Sequence, residues 1–134
     1  MSIDFMLEVQ DSISPEVLRR VFDAFGAEYD LDDKRPGSYS IFFPSSGLHA
    51  YCDAGKHHLT AEDFPDERWR TGACVGFAPL NSEYAKSCNE LESIVRLLAA
   101  STTGNFVFTW QFETTHASKI DGVFRWLLPL TNVS

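Results

Sequence analysis

The residues best equipped for chemistry lie between His49 and Glu67. Cys52 and Asp53 precede His57 and His58, and thiolate, carboxylate and imidazole together are a zinc-ligand set. The spacing matches no zinc finger, and adjacent histidines rarely both face one ion. No metal is expected. A nucleophilic pair can be drawn from Cys52 with His49 or His116, but no third group stands by to orient the base. Cys74 falls in an apolar strand pattern and Cys88 on an apolar helix stripe, where a thiol behaves as a small hydrophobe. Glu62, Asp63, Asp66 and Glu67 are paired carboxylates. General acid catalysis, however, needs a raised pKa in a dry cleft, and this stretch reads as exposed. Gly-x-Gly-x-x-Gly, Cys-x-x-Cys, His-Glu-x-x-His, Gly-x-Ser-x-Gly and the phosphate-binding Gly-Lys-Ser/Thr loop are all missing. The expectation is no enzyme and no cofactor.

The same residues are well suited to binding. Eight of the nineteen acids fall in the windows 28–33 and 62–67. Asp30, Asp32 and Asp33 stand in the first window, Glu62, Asp63, Asp66 and Glu67 in the second, with Asp53 between. Tyr51, Phe64 and Trp69 lie among them, giving aromatic anchors inside a charged rim, the make-up of a protein-binding surface. Nineteen acids against eleven bases leave a net charge of −8. A nucleic-acid-binding domain must neutralise phosphates with a basic patch, and here Arg19-Arg20, Lys34-Arg35 and Arg68/Arg70 each sit beside acids. Nucleic acid is not expected as a direct partner. An acidic surface suits a basic protein partner or a cationic ligand, and it also serves plain solubility.

The elements that position these residues follow from periodicity. Asn105–Glu113 puts Phe106, Phe108, Trp110 and Phe112 on one parity, so one aromatic face of a central strand must be covered. Ile3, Phe5, Leu7 and Val9 alternate as an opening strand. Ser14-Pro15-Glu16 starts a helix whose stripe is Val17, Leu18, Val21, Phe22 and Phe25, and Gly26 ends it. Residues 27–38 extend briefly through Tyr29 and then form an acidic loop. Tyr39–Phe43 and Leu48–Asp53 pair across Pro44-Ser45-Ser46-Gly47, with His49, Tyr51 and Asp53 on the outward parity. Residues 54–70 read as irregular, and a strand follows at 72–78. Asn81 or Ser82 caps a second helix along Tyr84, Cys88, Leu91, Val95 and Leu98, broken by Gly104. Thr114–Gly122 reads as a polar loop, and Val123–Leu128 as a last strand. The expected order is β-α-β-β-β-α-β-β. This is an α+β domain with one largely antiparallel sheet of five to six strands, both helices on one face, a ferredoxin-like variant.

At 134 residues, 1–134 is a single domain with enough chain for its own core. No apolar run is long enough to span a membrane, and the first residues lack the pattern of a secretion signal. Three widely spaced cysteines fit free thiols in a reducing compartment, so a cytoplasmic location is expected. Exposed sheet edges leave a homodimer open.

A small, acidic, leaderless α+β chain with these acidic windows and the aromatic strand Phe106–Phe112 resembles the immunity proteins of bacterial polymorphic-toxin and contact-dependent growth inhibition systems. The resemblance covers the whole chain in character and transfers no individual residues. It implies a cognate toxin domain, basic and acting in the cytosol as a nuclease does, neutralised by the acidic surface. The competing expectation is a small-ligand-binding or regulatory domain with an aromatic pocket between sheet and helices.

Overall fold

A computed structural model describes residues 5–58, 61 and 69–130, giving the backbone alone for 55–58. The order is β1 (Phe5–Gln10), α1 (Pro15–Asp23), β2 (Glu28–Leu31), β3 (Tyr39–Phe43), β4 (Leu48–His58), β5 (Arg70–Ala78), α2 (Tyr84–Ser101), β6 (Phe106–Trp110), β7 (Thr114–Ile120) and β8 (Val123–Trp126). Among the described residues the eight strands form one sheet in the order β2-β3-β4-β5-β1-β6-β7-β8, and every neighbouring pair is antiparallel. The α+β class is as expected, but the sheet has eight strands rather than five or six. β1 and β4 run parallel with β5 between them, and α1 lies on the connection. β5 and β6 flank β1 in the same way, joined through α2.

The core lies between one sheet face and both helices. Phe5, Leu7 and Val9 of β1, Val75 and Phe77 of β5, and Phe106 and Phe108 of β6 are fully buried there, with Leu18 and Phe22 of α1 and Leu91 and Ile94 of α2. Phe5 stacks on Phe108 at 5.6 Å, and Phe22 meets Phe43 and Phe77 edge-on at 6.0 and 6.4 Å. Fully burying each such side chain contributes about 1.5–3 kcal/mol.

Polar contacts cap α1 and tie α2 to the sheet. Ser14 caps α1, accepting from the Val17 N–H at 3.3 Å, and Gly26 takes φ 74° beyond its end. Neither Asn81 nor Ser82 caps α2, because residues 81–83 form a 3-10 turn ahead of it. Ser87 inside α2 does the joining: its hydroxyl accepts from Leu80 N–H at 3.2 Å and donates to the Ser46 carbonyl at 2.8 Å. The Glu90 carboxylate accepts from Ser45 and Ser46 hydroxyls at 2.5 and 2.6 Å, pinning the β3–β4 turn to the helix. Glu90→Ala is expected to cost about 1–2 kcal/mol in urea denaturation, with Glu90→Gln recovering most of it. Equal stability of both variants with wild type would show the turn holds without α2. At the other end, Lys119 Nζ donates to the Ala99 and Thr102 carbonyls at 2.5 Å, meeting the negative end of α2.

Sequence readings of three stretches are corrected. The extension expected only through Tyr29 is a strand over Glu28–Leu31, because β3 supplies the pairing that acidic residues do not favour on their own. Thr114–Ile120 is also a strand, and only Asp121-Gly122 is the turn, with φ 51° and 82° matching the primed type that a two-residue hairpin needs. The stretch from 54 is likewise less irregular than expected, since β4 continues to His58 and β5 begins at Arg70.

Candidate functional site

The face of the sheet away from the helices gathers part of the predicted site. Cross-strand partners set Asp30, Ser40, Tyr51, Gly76, Met6 and Thr109 in one row from β2 to β6. The next row runs Asp53, Cys74, Glu8 and Val107. Side chains in such rows share a face, so Asp30, Tyr51 and Asp53 point the same way although twenty-three residues separate the first from the last. Asp32 joins them from the β2–β3 connection, accepting from the Tyr51 hydroxyl at 2.7 Å and the Lys34 N–H at 2.9 Å. Asp33 is exposed beside it. Arg35 reaches Asp53 at 3.5 Å, and the Ser38 hydroxyl donates to the other Asp53 oxygen at 3.4 Å.

Glu62, Asp63, Phe64, Asp66 and Glu67 lie outside the described residues. The residues around that window both rest on the open face. Ala61 donates its N–H to Glu8 Oε1 at 3.0 Å. Trp69 packs on Val107 with Ala61 and Ile120. Trp69, named as an aromatic anchor of the binding surface, is 9% exposed. Val107 offers the apolar surface that draws the indole down. Val107 is three strands from Asp53 in its row, about 14 Å at normal strand spacing.

Between these two parts the open face holds a cavity of about 420 Å³, lined by Met6, Tyr51, Asp53, Cys74, Gly76 and Phe112. Arg35 closes one side. Phe112 is the surprise. Its parity with Phe106, Phe108 and Trp110 predicts a place in the core, but Gln111 and Phe112 take φ 52° and 65°. Two left-handed residues end the alternation and turn the ring onto the opposite face. The only local clue was Gly76, a glycine inside a strand pattern, which leaves room above the sheet.

The thiol chemistry considered from sequence has no support. Burial, with the Glu8 and Asp53 charges behind it, pushes the Cys74 thiol up to about 12, so it stays protonated. Burial also raises Cys52, which faces the helices while His49 is exposed on the other side. His116 is buried in the core, its Nδ1 3.0 Å from the Leu128 carbonyl. Neither histidine pairs with Cys52. Among the described residues no three His, Cys, Asp or Glu side chains gather as a metal site. The side chains of His57 and His58 lie outside the described residues.

The Tyr51 hydroxyl, and after it the Lys34 N–H, hold Asp32 below its ordinary 3.8. A lowered carboxylate contributes stability above its unfolded value and loses it as pH falls through the folded one. Tyr51→Phe should therefore lower the urea midpoint at pH 7, with the gap closing below pH 3.8. A gap of constant size down to pH 2.5 would assign the loss to packing instead.

Compared with protein-family models, curated proteins and solved structures, the chain shows no match. Among the described residues no helix is long and apolar enough to cross a membrane.

Proposed function

We propose that this chain is a stoichiometric inhibitor of a basic protein, in the manner of the immunity proteins of bacterial toxin systems, and not an enzyme. One observation carries the reading. Asp30, Asp32, Tyr51 and Asp53 share one open sheet face at the β2 edge, with Asp33 beside them. Among the described residues the one ion pair made with this charge, Arg35–Asp53, is long, and both of its side chains are at least half exposed, at 62% and 50%. Such a face steers a basic partner and gives it a patterned surface to meet. The partner of this reading is a toxin domain acting in the cytoplasm, such as a nuclease, whose cleft must attract phosphates. The two interleaved crossovers also favour a ferredoxin-like plan for the central four strands, widened by a pair on each side.

The test is genetic. Neighbouring open reading frames are expressed with and without this chain. A neighbour that arrests growth alone and is tolerated in its presence is expected. Toxic neighbours that this chain never rescues would end the reading.

A second reading has its own observation. A cavity of about 290 Å³ opens between α1 and the sheet, lined by Ile13, Leu18, Tyr39, Cys52, Ala54 and Ala73. It favours a small apolar ligand, although with Tyr39 as its one aromatic wall it is not the aromatic pocket expected from sequence. A metabolite that raises the melting temperature of wild type but not of Ala73→Leu would support it. No stabilisation by any compound would count against it.

A further inference from the structure

We propose that the open-face cavity is the receptor for one arginine side chain of the basic partner, and that Arg35 of this chain half-occupies it until the partner displaces it. This rests on the inhibitor reading and adds what the face recognises. The lining matches the three parts of an arginine. Met6 and the bare backbone at Gly76 offer an apolar floor for the aliphatic stem. The Phe112 ring offers a face on which a planar guanidinium stacks. Asp53 supplies the carboxylate, with Asp32 held nearby through Tyr51. A protonated Cys74 adds no competing charge. Arginine fits better than lysine, because only the guanidinium is both planar enough to stack and forked enough to meet a carboxylate.

Two features of this chain point the same way. Arg35 already brings a guanidinium to Asp53, at 3.5 Å and largely in solvent. A screened pair of that kind is weak, so exchanging it for a partner's arginine costs little. Phe112 reaches the cavity only because Gln111 and Phe112 both adopt left-handed backbone, where Asn-Gly is the favoured pair. Strain of that kind persists where the surroundings or the function demand it. Here it places an aromatic ring on the open face, at the wall of the cavity.

The experiment titrates N-acetyl-arginine methylamide, and the matching lysine compound, into labelled full-length protein while following amide shifts. Saturable shifts at Met6, Tyr51, Asp53, Cys74 and Phe112 are expected, with lysine weaker. Arg35→Ala should tighten arginine binding roughly twofold to fivefold, the worth of a screened surface pair. Phe112→Ala and Asp53→Asn should weaken it about fivefold or more. The double variant Gln111→Asn with Phe112→Gly should melt higher than wild type while losing arginine. Unchanged affinity in Arg35→Ala, full binding by Phe112→Ala, or unsaturable shifts spread over every acid would overturn the proposal. A toxin bound equally by wild type and Phe112→Ala would remove the receptor and leave the inhibitor reading intact. Arginine binding without any toxin partner would do the reverse.

Discussion

Replacing Phe108 with alanine is expected to lower the unfolding free energy by about 3–5 kcal/mol, while the same change at Phe112 costs under about 1 kcal/mol. The two residues look alike in sequence, four apart in an alternating run. Phe108 is fully buried, stacked on Phe5 at 5.6 Å, edge-on to Phe77 at 6.4 Å, and 6.2 Å from Trp126. Its loss leaves a void that neighbours from β1, β5 and β8 cannot close, because each is held in the sheet register. Phe112 is half-buried on the other face in strained backbone. Urea denaturation at pH 7 measures both. Similar losses at the two positions would put Phe112 in the core after all.

Reversing Glu28, Asp30 and Asp33 to lysine should slow association with a basic partner about 10- to 100-fold at low salt. All three side chains are exposed at the β2 edge. Asp32 is left alone, because its carboxylate holds Tyr51 and the Lys34 N–H, and losing those would mix folding with binding. Three reversals move the net charge from −8 to −2, two units for each. The gap should shrink as salt rises, since the screening length falls from about 10 Å at 0.1 M to about 3 Å at 1 M. Rates that match wild type at every salt would mean steering comes from elsewhere on the chain.

Strong, single-signal elements were legible from the residues alone. Ser14-Pro15-Glu16 with its apolar stripe marked α1, and the alternation of Leu48–Asp53 put His49, Tyr51 and Asp53 on the outward face where they stand. The missed strands are those whose pairing overrides composition. β2 is acidic and exposed except for Tyr29, and β7 reads Thr-Thr-His-Ala-Ser-Lys-Ile, yet His116, Ala117 and Ser118 are buried in it. The candidate site was half visible. Asp30, Asp32, Tyr51 and Asp53 could be named, but their shared face needed the strand register. Phe112 was hidden because neither glycine nor asparagine announces the left-handed turn. The packing of Trp69 was not visible, because its aromatic character says nothing of Val107 beneath it.

The decisive measurement is a low-salt pull-down from native cells, with wild type and the Glu28, Asp30, Asp33 triple reversal as parallel baits. One basic protein should be retained at one-to-one stoichiometry by wild type and lost from the reversed bait, and should arrest growth when expressed alone. Equal retention on both baits, or no stoichiometric basic protein on either, would contradict inhibition through the acidic face.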